Sequence, residues 1–231
     1  MKLYKDILGK FIVAIILMHI GVVAMMAQRP SIRQVFEDAP SEVIPALGDL
    51  ERSQVFAVYE AKLKGEADIE TSKNMLGAEV TLLRLTDDYL QMTLDPSTEL
   101  QMKLLPYKGS KGYLISMVAT SLLEPKQSVI VFYDKDWNRL ETSDFIQSPD
   151  PADYFISPDD SNRREIKDAL VERGRWSYQI VLDADGVGLS FRMTTFDEAL
   201  ARELHPDVMP LLKKEGVRYE WSKRSKSYIK K

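Results

Sequence analysis

Between Glu79 and Leu140 the chain alternates apolar and polar residues in short runs separated by turn-forming clusters, a period of two that only pleated strands satisfy. In Thr98 to Leu105, Leu100, Met102 and Leu104 fall on one face and Glu99, Gln101 and Lys103 on the other, which predicts a half-buried strand. Tyr89 to Leu94 repeats the pattern with Leu90, Met92 and Leu94, and Asp95-Pro96-Ser97 supplies the turn between the two runs. A second turn, Lys108 to Gly112, leads into Tyr113 to Ala119, and a third, Glu124 to Gln127, into Val129 to Tyr133. Connections this short join antiparallel neighbours, so a β-meander is expected, with its apolar face covered by helices.

The flanking segments supply those helices. Residues 28–48 carry Pro30, Pro40 and Pro45 and predict an irregular arm or broken helix. From Asp49, a plausible N-cap, Leu50, Val55, Val58, Tyr59 and Leu63 recur at helical spacing until Gly65. Two turn-rich pieces, Ser148-Pro149-Asp150-Pro151 and Ser157-Pro158-Asp159-Asp160, mark a boundary. Beyond it a helix from Asp160 or Ser161 to about Glu172, a hairpin of Trp176 to Leu182 and Gly188 to Thr194, a helix from Asp197 to Lys214 and a strand from Val217 to Trp221 are expected. The predicted fold class is α+β: antiparallel β-meander sheets covered by helices, in two loosely similar α+β halves. Its divisions are a signal peptide (1–27), an N-terminal arm (28–48), a helix-plus-meander subdomain (49–147) and a second α+β subdomain (148–231).

Lys2, Lys5 and Lys10 precede an apolar run from Phe11 to Ala27, the pattern of a secretory signal. Cleavage is expected after Ala27, before the polar Gln28, with Ala24 the alternative site. The competing reading is a retained anchor, but the run is shorter than the roughly 20 apolar residues of a spanning helix and contains His19 and Gly21. The sequence contains no cysteine, which excludes a lipid-bearing Cys at the processing site as well as disulfide and thiolate chemistry. A periplasmic or secreted protein without a membrane span after signal removal, and not a lipoprotein, is expected. Losing residues 1–27 removes three Lys and one Asp, so 31 basic and 35 acidic residues become 28 and 34, net −6. That balance argues against nucleic acid as a partner. Lys223, Arg224, Lys226, Lys230 and Lys231 form a basic tail, read as a solvated end with membrane or polyanion contact as its alternative.

Several motifs invite chemistry, and each has a plainer explanation. Asp134-Lys135-Asp136-Trp137-Asn138 begins like a calcium loop, but Arg139 stands where the loop needs Gly and Phe145 where it needs Glu, so a turn is expected and no metal. Asp183 and Asp185 belong to a hairpin turn. His205 is alone once the signal is removed, too few ligands for zinc, and Ser116 lies within a strand with no Gly-x-Ser-x-Gly elbow. Asp87, Asp88 or Glu99 could supply paired carboxylates for a hydrolase, although acids on turns and edges are mostly solvated. No Gly-rich phosphate loop is present, and no cofactor is expected. Tyr107, Tyr113, Phe132, Tyr133, Trp137, Tyr154 and Phe155 cluster in and after the meander. Tyr154 and Phe155, in the loop between the halves, are the candidate partner-binding residues, on the condition that they are exposed.

Taken together, Thr86-Asp87-Asp88-Tyr89-Leu90 before alternating strands, Leu104-Leu105-Pro106, Phe132-Tyr133-Asp134 with Asp136-Trp137, and the late Tyr219-Glu220-Trp221 resemble a family of exported Bacteroidales proteins, domain-of-unknown-function family 3256. The similarity runs from about Ile44 to Trp221. It implies a periplasmic or envelope location and carries over no catalytic residues. The function expected is a non-enzymatic binding or structural module for another macromolecule, an envelope protein being the possible partner. A small-ligand carrier with a cavity between sheet and helices and a carboxylate-dependent hydrolase are the alternatives.

Overall fold

A computed structural model of the chain describes residues 29–67, 69–107, 109, 112–156, 159, 164, 177–194, 212, 213 and 215–231. The helices expected over 160–172 and 197–214, with Trp176 and His205, lie outside the described residues except for isolated positions.

The meander forms as the alternation predicts. Strands β1 (Ser72–Lys73), β2 (Glu79–Leu85), β3 (Tyr89–Asp95), β4 (Thr98–Pro106), β5 (Tyr113–Ser121), β6 (Gln127–Tyr133) and β7 (Arg139–Leu140) pair antiparallel in sequence order as a seven-stranded sheet. A second, four-stranded antiparallel sheet has the order β11-β10-β9-β8, from β8 (Tyr178–Leu182), β9 (Gly188–Met193), β10 (Val217–Ser222) and β11 (Ser227–Lys230). Among the described residues the protein is mostly β, with two helices, α1 (Ile32–Glu37) and α2 (Asp49–Leu63), and two 3-10 turns, Thr142–Asp144 and Pro151–Tyr154.

The seven-stranded sheet is the middle layer. On one face Val80, Leu90, Met92, Met102 and Ile115 pack against Ile32, Phe36, Leu47, Val55 and Phe56 from the arm and α2. The arm is therefore part of the core. Its short helix α1 starts at a capping box in which Ser31 and Gln34 satisfy each other's backbone amides. The face that α2 buries is Arg52, Val55 and Phe56, whereas the expected stripe residues Leu50 and Leu63 project into solvent. The physical reason is Arg52. It is fully buried, and its guanidinium donates to the carbonyls of Leu47 (3.1 Å) and Ala39, tying the arm to the helix. Asp49, 3.9 Å away, is almost wholly exposed and adds little. We expect Arg52→Met to destabilise the fold by about 3 kcal/mol in urea titration, because it strips charge-assisted donors from buried carbonyls. Arg52→Lys is expected to recover less than half of that, since one ammonium cannot span the fork. A loss under about 1 kcal/mol for Arg52→Met contradicts this assignment.

The opposite face of the meander is covered by the second sheet. Tyr89, Leu105, Leu114 and Phe132 share one core with Tyr154, Ile180, Phe191 and Trp221, so residues on both sides of the 148 boundary pack together. This corrects the half-buried reading of β4: Glu99, Gln101 and Lys103, expected in solvent, are buried beneath β8.

Candidate functional site

Polar side chains of the meander converge where the two sheets meet. Strand β8 is an edge of its sheet, and in its antiparallel pairing with β9 every second residue turns its amide and carbonyl outward. Those outward groups meet side chains of the meander. Ser128 Oγ accepts from the Ile180 amide (2.9 Å), Gln101 Oε1 accepts from the Leu182 amide (2.9 Å), and Lys103 Nζ donates to Ala184 O (3.0 Å). Lys103 also donates to Asp88 (3.0 Å), which fixes the ammonium, and Thr120 and Ser128 share a hydrogen bond of 2.8 Å. Gln101 Nε2 donates to Glu99 (2.9 Å), whose second oxygen accepts from Gln91 (3.0 Å). Gln101, Lys103 and Ser128 are thus a docking ladder of side chains standing in for a strand, with Glu99 orienting Gln101. Burial raises the Tyr89 phenol well above its ordinary range, with the neighbouring Glu99 carboxylate adding to the effect.

This geometry answers the carboxylate-pair reading. Glu99 is held by two amides and Asp88 by Lys103 and the Thr86 hydroxyl, while Asp87 is exposed and its carbonyl accepts from Ile32 at the start of α1. Asp134 accepts from the amides of Asp136 and Asn138 (2.9 Å each) and from the Asn138 side chain, closing a turn on which Trp137 adopts a left-handed φ of 63° and packs on Tyr133. Asp183 accepts from the Asp185 amide within the β8–β9 turn. Among the described residues no group of three or more His, Asp or Glu could hold a metal ion.

Tyr154 and Phe155, the candidate partner-binding residues, are fully buried in the inter-sheet core. The exposure on which their assignment depended is absent. Pro151–Tyr154 forms a 3-10 turn capped by Asp150, and the turn aims Tyr154 inward although its composition is that of a surface loop. Phe132 is likewise core, while Tyr107, Tyr113, Tyr133 and Trp137 are half-buried at its margins. Ser116 is buried within β5.

Among the described residues, two surface clefts stand out, and neither lies between the meander and its helices. One, of about 470 Å³, sits where Arg84 and Gln91 meet the β8–β9 turn and continues to Arg192, Arg218 and Glu220. Its charges are largely matched: Arg84 with Asp185 at 2.6 Å and Lys231 with Glu220 at 2.8 Å. The other, of about 420 Å³, runs between residues 143–148 and β11. Sequence reasoning missed it, because β11 was read as a charged tail; the signal present was the aromatic pair Trp221 and Tyr228, which sit opposite one another across the β10–β11 hairpin.

Fold and site together define a layered, mostly β protein whose buried polar side chains join two antiparallel sheets. The chain belongs to the family described as "Protein of unknown function (DUF3256)", which matches residues 22–225. It is similar in structure to a domain of an uncharacterized protein from Porphyromonas gingivalis W83, at 23% identity and a TM-score of 0.64, over 87% of this chain and all of that one. This likeness shows the fold alone. No curated protein matches.

Proposed function

We propose that the protein is exported through its N-terminal segment, works in the periplasm or at the envelope, and binds another macromolecule without catalysing a reaction. The observation that carries this reading is the state of the sheet edges. Among the described residues, β1 and β7 are edges of two residues each, too short to template another chain, and β8 is capped by side chains. The remaining edge, β11, borders the groove of about 420 Å³. The acids that a hydrolase would need are engaged in turns and in joining the sheets. The 470 Å³ cleft is open and charged, unlike the apolar interior of a small-ligand carrier.

In-cell crosslinking of the tagged full-length precursor in its native host, with mass spectrometry of bait and attached material, tests the reading. We expect bait beginning at Gln28, joined reproducibly to one envelope component. Bait that retains Met1 and captures cytoplasmic neighbours is the contrary result, and processed bait that crosslinks to nothing argues against a stable partner.

A further inference from the structure

We propose that the outer edge of β11 accepts an extended, acidic polypeptide strand from the partner. The inference rests on the binding-module reading above and gives it a place and a chemistry. In the β10–β11 hairpin, Tyr228 lies opposite Trp221 and Lys230 opposite Tyr219. The Tyr228 amide points away from β10, since it donates to Phe145 O at 2.7 Å, and the Lys231 amide points toward it, since it donates to Arg218 O at 2.9 Å. By alternation, the Lys230 amide and carbonyl face outward with Tyr228. Residues 143–148 use one of these outward groups, at Tyr228, and the groove begins beside the rest. A strand laid in that groove continues a pairing that Phe145 starts. The other sheet edges lack this combination, being either two residues long or occupied by side chains.

Charge selects the occupant. From Lys223 to Lys231 the chain carries five cations and no acid. Lys230 is paired with Asp153 and Lys231 with Glu220, each at 2.8 Å. Lys223, Arg224 and Lys226, in the turn that leads into β11, have no acidic partner among the described residues. Lys226 instead lies over the Tyr107 ring, 5.9 Å from its centroid, and its left-handed φ of 56° holds the turn. Beside the groove Ile229 is half exposed, which favours an apolar residue at alternate positions of the incoming strand. Backbone pairing then sets the strand's direction and register, and the basic turn sets its sign of charge.

The test uses the purified, isotopically labelled full chain and a synthetic peptide of about six residues alternating Glu and Val, against the same peptide with Lys for Glu. We expect the Glu peptide to slow hydrogen exchange of the Lys230 amide by at least about tenfold and to bind at least about tenfold more tightly than the Lys peptide, the difference shrinking as salt rises. Lys230→Pro removes the outward donor while leaving the inward ladder at Ile229 and Lys231, so it is expected to fold and to lose binding at least about tenfold. A combined Lys223→Glu, Arg224→Glu, Lys226→Glu variant is expected to lose the preference for the acidic peptide. Equal binding of the two peptides, undiminished binding by a folded Lys230→Pro variant, or no change at residues 227–231 overturns the proposal. Either peptide result is separate from the crosslinking outcome: a captured envelope partner with an inert β11 edge removes this inference and leaves the binding-module reading standing.

Discussion

Raising the pH above about 10 is expected to unfold this protein in one cooperative step, with buried tyrosines ionising as they emerge. Tyr89, Tyr154, Tyr219 and Tyr228 are all buried, and burial raises each phenol above its ordinary value; the nearby Asp153 carboxylate adds to the shift at Tyr219, which is pushed up to about 12. The neutral form of Tyr219 is further held by its hydrogen bond to Gln147 O at 2.9 Å. A group whose folded pKa lies above its unfolded one contributes stability that is complete below the unfolded value and lost as pH climbs through the folded value. For Tyr219 that window runs from about 10 to about 12. Each such phenol steepens the loss by about 1.4 kcal/mol per pH unit, so four acting together remove about 5 kcal/mol per unit. Against a typical stability of about 5 to 15 kcal/mol, the transition falls within about one to three units above pH 10. Phenolate absorbance and circular dichroism should therefore change together for these four side chains. Tyr219→Phe keeps the ring contacts with Phe191 and takes one proton out of the transition, so its pH slope should fall by about a quarter. Smooth titration of all the tyrosines near 10 with the fold intact contradicts the prediction.

The meander was legible because its faces differ: Leu100, Met102 and Leu104 against Glu99, Gln101 and Lys103 leave no doubt of a strand or of its apolar side. What the pattern cannot convey is that a polar face is also covered. The cover comes from residues 178–230, distant in sequence, and a Gln or Lys that satisfies a buried backbone group has the same composition as one that faces water. The same ambiguity displaced Tyr154 and Phe155: flanking Pro and Asp residues mark a turn correctly, but turn chemistry says nothing about which way the next aromatic points. In α2 the helical period was right and Val55 and Tyr59 of the expected stripe meet the core, but its ends Leu50 and Leu63 do not, and a buried Arg52 takes a place on the contact face that an apolar residue was expected to fill. The acids of the candidate chemistry, Asp134, Asp183 and Glu99, were legible as turns in the first two cases and misread as solvated in the third. At β11 the run of lysines concealed a strand whose single buried aromatic, Tyr228, gives too short a signal for periodicity to detect.

Gln101→Leu is expected to lower stability by about 3 to 5 kcal/mol although the two side chains are close in volume, because the damage lies in the polar groups left without partners. With the amide gone, the Leu182 N–H, 2.9 Å from Gln101 Oε1 in the intact protein, is a donor on a buried strand edge with no water to replace its acceptor. One oxygen of the buried Glu99 carboxylate loses the donor now at 2.9 Å, and the Tyr89 hydroxyl loses one of its two neighbouring acceptors. Each orphaned group is worth about 1 to 3 kcal/mol, and the groups belong to one network, so their effects do not simply add. Lys103→Met leaves Ala184 O without its donor, but Asp88 already reaches water in the intact protein, which limits the cost to about 2 kcal/mol. The two variants should be distinguishable by amide exchange: Gln101→Leu deprotects Leu182 while Phe191, one strand further in, stays protected, and Lys103→Met spares both. Loosening β8 also uncovers a strand edge that the intact molecule keeps engaged, so Gln101→Leu is expected to associate at concentrations where the parent protein stays dispersed. A Gln101→Leu variant within about 1 kcal/mol of the parent, with Leu182 still protected, contradicts the side-chain docking of the second sheet and reduces the junction to apolar packing alone.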